Sequence, residues 1–451
     1  MQKTPETLDP LAEAVLSGAD PDELRRTPLP REYVAAHLLA SDVGMFRDST
    51  SKDVRSSLRV GRVPMPELAP DEVVVAVMAS SINYNTVWSA MFEPLPTFDF
   101  LKRYAKQGGW AARHDQPHQV PGSDASGVVV RTGSGVRRWQ VGDHVLVHPV
   151  HVDDQEPATH ADGMLGTEQR AWGYETNFGG LGQYAVARAS QLVSKPAHLT
   201  WEESASSPLV GSTAYRMLVS DTGARMKQGD VVLIWGAAGG LGSYASQLVR
   251  NGGGTAVGVV GSERKAEAAR AMGCDVVINR QELGLGDTID PTPEETIQIG
   301  KRLGRIIRTE TGDDPRIVFE HVGRAVFGIS VFVAARGGTV VTCGSSTGYQ
   351  HVFDNRYLWM RLKKIVGSHG ANLQEEQEFT RLISNGRIAP ALSALHPLAD
   401  VGEAARLVQK SQHVGKVGVL CLAPERGLGV TNPALRASIG EDRINPLRQF
   451  A

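Results

Sequence analysis

The stretch Val231-Val232-Leu233-Ile234-Trp235-Gly236-Ala237-Ala238-Gly239-Gly240-Leu241-Gly242 decides how the rest of the chain is read. An apolar, β-branched run leads straight into a glycine-rich turn, and Ser243 to Arg250 continues in a helix-compatible pattern. Glycine lets the backbone turn sharply and approach a ligand with no Cβ in the way. The first N–H groups of a helix lack intrahelical acceptors and suit an anion. Strand, glycine turn and helix in that order open a dinucleotide-binding unit, with the pyrophosphate held at the turn. The expected contacts are Gly236, Ala238, Gly239, Gly240, Leu241 and Gly242.

Outward from this turn, apolar runs alternate with helical patterns across residues 208–369. The runs are 255–260, 275–278, 316–319, 339–342 and 364–367, each rich in Val and Ile. With the first, they predict a six-stranded, doubly wound parallel (Rossmann) sheet of α/β class. The polar stretch 283–304, with its Asp-Pro and Thr-Pro pairs, reads as a surface insert. The second strand ends Val260-Gly261-Ser262-Glu263-Arg264-Lys265, with no acid at its tip. An acid there would hold a ribose 2′-hydroxyl and repel a 2′-phosphate. Ser262, Arg264 and Lys265 instead suit a phosphate dianion, which favours NADPH, with Glu263 pointing away.

On either side the pattern changes. Residues 55–200 carry short β runs such as 72–77, 127–130 and 144–147, separated by Thr132-Gly133-Ser134-Gly135 and similar turns. Two polar inserts, 97–119 and 148–173, interrupt them and suit lids or subunit contacts. After 370 comes a helix, then a strand at 415–420, then a polar tail. The domains expected are therefore 1–207 with 370–451, mostly β, and the nucleotide domain 208–369 inserted between them. Residues 1–40 read as an amphipathic helical arm, with Leu8, Leu11, Ala14, Val15 and Leu16 on one face.

Bulk composition narrows the partners. Lys and Arg number 47 against 49 Asp and Glu, so no polyanion-binding surface is implied. Cys274, Cys343 and Cys421 lie far apart, without metal-ligand spacing or a disulfide framework, which suits a reducing cytoplasm. The start of the chain, with Glu13 inside its apolar run, does not read as a signal peptide. No run approaches the roughly 18 apolar residues that a membrane span needs.

A β domain leading into an inserted six-stranded nucleotide domain resembles the medium-chain dehydrogenase/reductase superfamily, whose catalytic domain is GroES-like. Zinc alcohol dehydrogenases of that group have a Cys in the segment that here reads Ser81-Ile82-Asn83-Tyr84-Asn85. They have Gly-His-Glu where this chain has Gly122-Ser123-Asp124, and a four-cysteine lobe that this chain lacks. No catalytic zinc is expected. Among zinc-free relatives the sequence is similar to the crotonyl-CoA carboxylase/reductase family across nearly its whole length. Four stretches carry the resemblance: Ala79 to Trp88, Trp172 to Gly180, Asp354 to Trp359, and Ile365 to His369.

The resemblance implies hydride transfer from NADPH to Cβ of a 2-enoyl-CoA, then attack of Cα on CO2 to give an alkylmalonyl-CoA, a polyketide extender unit. It assigns CO2 placement to Asn85, Glu175 and His369, with Tyr174 shielding the pocket. Asn85 would donate its amide to a CO2 oxygen and His369 a ring N–H, while Glu175 orients those donors; Asn83 supports the site. Arg356 and Tyr357 are implied near the CoA nucleotide. Members acting on crotonyl-CoA have Phe before the Glu and an aromatic after the His; this chain has Tyr174 and Gly370. Gly370 opens room for an acyl chain beyond four carbons, such as 2-hexenoyl- or 2-octenoyl-CoA. The only Met-Lys pair, Met226-Lys227, lacks the flanks of a biotin attachment site, so neither biotin nor a metal is expected. The family also implies a homo-oligomer, a tetramer, with 97–119 at its contacts. The alternatives are a plain NADPH-dependent enoyl-CoA reductase or quinone oxidoreductase, and a non-catalytic NADPH-binding protein.

Overall fold

The computed structural model describes residues 8–285 and 290–450. The chain forms two compact units, Met1–Leu209 with Ala394–Gly440, and Val210–Ser393 with Glu441–Ala451.

The second unit carries the sheet expected from the glycine-rich stretch. Its parallel order is Val276–Asn279, Thr255–Val260, Val231–Trp235, Ile317–Glu320, Thr339–Thr342 and Lys364–Gly367. The strand order reverses beside Val231–Trp235, which pairs Trp235 with Val259 on one side and Ile234 with Phe319 on the other. That reversal opens a crevice at the strand's C-terminal end, where ligands of this architecture bind. Val231–Trp235 is buried at every position because helices cover both faces of the sheet. The polar stretch at 283–304 is not simply a surface insert: helix Pro293–Thr311 begins inside it. Pro293 sits at the first helical position, where its missing N–H costs nothing, and Thr292 with Glu295 forms a capping box. Ile299, Leu303 and Ile307, four apart, enter the core. Part of the expected insert, 286–289, lies outside the described residues.

The first unit is built on Glu72–Ser81, a strand buried at all ten positions. Val73, Val75 and Val77 pack into one core while Val74, Ala76 and Met78 pack into another, the period of two expected of a strand sandwiched on both faces. Ser126–Thr132 and Tyr184–Arg188 pair with it, and so does Lys416–Leu420, from the far end of the sequence. The 1–40 arm is only partly helical. Pro10–Leu16 and Pro21–Arg26 are short helices capped by Asp9 and Asp20, but Glu32–Leu39 is a strand paired to Arg59–Pro64. Pro28 and Pro30 end the helical run, and Tyr33-Val34 favours extension.

The return to the first unit differs from the expected 370. Helix Leu373–Ser384 stays with the second unit because fully buried Phe379 packs edge-on against Tyr244, 5.5 Å between centroids. Arg216 pairs with Glu375 at 2.9 Å beside it. The chain goes back at Ala394, and the final residues from Glu441 belong to the second unit again.

Candidate active site

In the first unit, helix Tyr84–Met91 starts at Asn83, whose side chain does not cap it. Asn83 is engaged elsewhere. Its Nδ2 donates to Asp124 Oδ2 at 2.7 Å and its Oδ1 accepts from Lys416 Nζ at 2.6 Å. Asp124 also accepts from Ser81 Oγ at 2.6 Å, from the Leu209 N–H at 2.9 Å and from Lys416 Nζ at 3.1 Å. Lys416 and Asp124 are buried, with side chains 3% and 0% exposed. Burial pulls the Lys416 ammonium below its usual range and the Asp124 carboxylate opposes that pull. Removing one member would leave the other charge buried, at a cost of about 3–5 kcal/mol. This cluster anchors the start of the helix that carries Asn85.

Asn85 is half-buried. Its Nδ2 donates to Ser123 Oγ at 2.8 Å, and Ser123 donates in turn to the Trp172 carbonyl at 2.6 Å. Asn85 Oδ1 is buried with no partner among the described residues. The amide expected to donate to CO2 therefore has one N–H already committed. Trp172 opens the turn that presents Tyr174 and Glu175. Glu175 accepts the Ala171 N–H at 2.8 Å through one carboxylate oxygen, closing the turn on itself. Tyr174 packs against Phe100, centroids 5.9 Å apart, and its carbonyl accepts from Gln119 Nε2 at 3.0 Å. The insert 97–119 thus backs the Tyr174 ring through helix Thr97–Ala105 and through Gln119, which also meets Thr97. Gly173 sits at φ +68°, and a Cβ there would fall on the Gly122 carbonyl oxygen. Only glycine lets the two backbones lie that close.

Behind the turn, His114 Nδ1 accepts the Asn177 N–H at 3.0 Å, which requires a neutral ring. Burial first, and then Arg113, Arg170 and Arg188, push its pKa down to about 3.

The second unit supplies a cofactor cradle. Gly236 adopts φ +62°, and a Cβ on Gly242 would meet Gly236 O at 2.5 Å and Ala237 Cα at 2.6 Å. Helix Gly240–Asn251 follows Gly239, which offers no capping side chain, so its first N–H groups face the turn. Such a cradle fits a pyrophosphate. At the next strand end, Ser262 caps its helix by accepting the Lys265 N–H at 3.4 Å. Arg264 donates to the Phe450 carbonyl at 2.6 Å, and Glu263 turns to Arg270 at 3.1 Å. Sequence reasoning missed Arg280. It lies over Gly261; burial first, and then Arg280 and Arg264, pull the Lys265 ammonium down. Three cations crowding one strand end suit a 2′-phosphate. The signal was available: Arg280 directly follows the third strand, beside the tip of the second.

His369 is exposed and Gly370 takes φ +51°, both just beyond strand Lys364–Gly367 of the second unit. Asn85, Tyr174 and Glu175 belong to the first unit, where Ser123 links Asn85 to the turn that carries the other two. Arg356 shares its charge with Asp354 at 2.6 Å on the surface, and the Tyr357 ring meets Phe332 edge-on at 4.6 Å. Among the described residues no cluster of His, Cys, Asp or Glu could hold a metal ion, and no helix is long and apolar enough to cross a membrane.

Residues 69–197 match the alcohol dehydrogenase GroES-like domain, and residues 240–385 the zinc-binding dehydrogenase family. The chain is 51% identical over 423 residues to a crotonyl-CoA reductase of Streptomyces collinus, covering 93% of this chain and 94% of that protein. It is 38% identical over 389 residues to the crotonyl-CoA carboxylase/reductase of Cereibacter sphaeroides, covering 84% and 87%. Among solved structures, the 2-octenoyl-CoA carboxylase reductase CinF, in complex with NADP and 2-octenoyl-CoA, superposes with TM-score 0.96. It shares 67% identity over 98% of this chain and 99% of its own. A GroES-like unit and a six-stranded nucleotide unit, together with these whole-length matches, show that the chain belongs to the crotonyl-CoA carboxylase/reductase family.

Proposed function

We propose that the protein is an NADPH-dependent enoyl-CoA carboxylase/reductase, converting a 2-enoyl-CoA and CO2 to an alkylmalonyl-CoA. The observation that carries this reading is the hydrogen-bonded link from Asn85 through Ser123 to the Trp172 carbonyl, which joins a polar amide to the Tyr174–Glu175 turn. NADPH, when bound, supplies the hydride to Cβ. The chain's own residues then decide the fate of the electron pair left at Cα. A proton from water gives a saturated thioester; CO2 within attack distance gives a new C–C bond and a carboxylate. Diverting the pair requires fixed CO2 and little water.

Asn85 keeps one N–H for an oxygen of CO2, where it also stabilises the carboxylate that forms. The Tyr174 ring, backed by Phe100, is the apolar wall that keeps water out. Glu175, closed onto Ala171, holds the turn and orients donors instead of facing the growing anion. His369 contributes a ring N–H. For the cofactor, the cradle at Gly236 to Gly242 takes the pyrophosphate and Arg264, Lys265 and Arg280 the 2′-phosphate. These roles use no metal and no biotin.

The acyl chain proposed is longer than four carbons. Gly370 leaves the space of a side chain beside His369, and each CH2 buried there contributes about 0.8 kcal/mol. CinF, solved with 2-octenoyl-CoA, supports the same choice. A homo-oligomer is also proposed, supported by the exposed apolar edge of the second unit, where Trp359 is 62%, Leu362 68% and Ile365 38% exposed. The test is NADPH oxidation with C4 to C8 enoyl-CoAs and labelled bicarbonate, with products weighed by mass spectrometry. Labelled alkylmalonyl-CoA, formed faster from C6 and C8 than from C4, is expected. Unlabelled saturated product at full rate would return plain enoyl-CoA reduction, and a preference for crotonyl-CoA would refute the longer chain.

A further inference from the structure

A serine hydroxyl has one proton to give and two lone pairs to receive with. Ser123, fully buried, gives its proton to the Trp172 carbonyl at 2.6 Å. What faces Ser123 from Asn85 must then be an N–H, and Nδ2 lies there at 2.8 Å. The two ends of an amide are nearly equal in size, so packing alone does not choose between them. The hydroxyl does. With Nδ2 turned to Ser123, Asn85 Oδ1 points into buried space without a partner among the described residues, and the second N–H has a fixed direction. The same hydroxyl ties that amide to the residue two positions before Tyr174 and three before Glu175. Its neighbour Asp124 is held by Ser81, Asn83 and Lys416, so Ser123 sits on a rigid base.

We infer that Ser123 is a positioning residue for carboxylation: its hydroxyl sets which end of the Asn85 amide faces CO2 and keeps it in register with the Tyr174–Glu175 turn. This rests on the reductive-carboxylation reading given above. Ser123 touches neither hydride donor nor acceptor in this role, so it governs the partition of the Cα electron pair, not its formation.

The experiment compares wild type, Ser123→Ala, Ser123→Thr, Asn85→Ala and the double variant Ser123→Ala/Asn85→Ala. Each is assayed for the ratio of labelled carboxylated to reduced product and, in CO2-free buffer, for plain reduction. Plain reduction reports a folded enzyme that still binds NADPH. Ser123→Ala is expected to lower the ratio about tenfold, the effect of roughly 1.4 kcal/mol for one lost orienting hydrogen bond, with the KM for NADPH unchanged. Ser123→Thr, which keeps the hydroxyl, should recover most of the ratio. In the Asn85→Ala background, removing the hydroxyl should cost nothing further, because its effect runs through that amide. If Ser123→Ala does not fold, Ser123→Cys keeps the volume, weakens the bonds and takes its place. An unchanged ratio, a Thr variant as impaired as Ala, or additive losses in the double variant would each overturn the role. A wild type that makes only reduced product would instead remove the carboxylation reading, and the role of Ser123 with it.

Discussion

Asn85 was legible from the sequence as a residue, but not as an oriented group. Its identity as a site residue came from the stretch 79–88; the direction of its amide depends on Ser123, which lies 38 positions away. The segment Gly122-Ser123-Asp124 spoke only of absent metal ligands. Its positive role needs Trp172 and Lys416, contacts that no local pattern contains. His114 shows the same limit and makes a prediction. Its ring must stay neutral to accept the Asn177 N–H, and its pKa lies near 3 in the folded chain against an ordinary 6.5. Between those values the unfolded chain holds the extra proton, so this contribution to stability is intact above pH 6.5 and is lost as pH falls towards 3. About 1.4 kcal/mol is lost per pH unit in that window, or roughly 2 kcal/mol by pH 5. His114→Gln removes the titration and retains an acceptor. Its melting temperature should fall less than that of wild type between pH 7 and pH 5; equal falls would exclude His114 as a source of acid sensitivity.

Among the elements, the strands of the nucleotide sheet were the most legible, because each is an apolar run buried on both faces between turn residues. Helix Pro293–Thr311 was not, since its proline-marked start imitates a loop and its buried residues are sparse among charges. Strand Glu32–Leu39 was lost to the amphipathic pattern before it. The turn 171–177 was recognised through resemblance, but its shape depends on the segment 119–123 beneath it. Ser123 holds the Trp172 carbonyl, Gln119 that of Tyr174, and Asn177 Oδ1 accepts the Val120 N–H at 2.8 Å. Gly173→Ala tests this seating. A left-handed backbone costs a Cβ-bearing residue about 1–2 kcal/mol, and overpacking against Gly122 adds roughly 1–3 kcal/mol. Chemical denaturation should show a loss of about 2–5 kcal/mol, with carboxylation reduced more than reduction. Gly312→Ala is the comparison, left-handed at φ +81° with nothing within 4 Å of its Cβ, and should cost only the backbone strain.

For the whole molecule, strand Lys364–Gly367 pairs on one side only among the described residues, with Thr339–Thr342. The Lys364 N–H bonds inward to Gly338 O at 2.9 Å and the Ser368 N–H inward to Thr342 O at 2.8 Å. By alternation the Ile365 and Gly367 N–H groups face the open edge. Such an edge, flanked by exposed Trp359 and Leu362, suits pairing with the same strand of a second copy about a two-fold axis. Ile365→Pro deletes an outward donor and leaves the inner ladder intact. Light scattering should show the assembly of the variant halved in mass, and an unchanged mass would place the interface elsewhere. The first unit has a different dependence on the length of the chain. Lys416–Leu420 pairs with the central Glu72–Ser81 strand and brings the Lys416 ammonium onto Asp124 Oδ2. On the ribosome, the second unit's sheet is complete once residue 367 has emerged, whereas the first unit's central strand still lacks a neighbour and Asp124 its counter-charge. The surroundings of Asn83 and Asn85 are therefore among the last to form during synthesis. A nascent chain stalled before residue 416 would hold a finished nucleotide sheet and unfinished surroundings for Asn85.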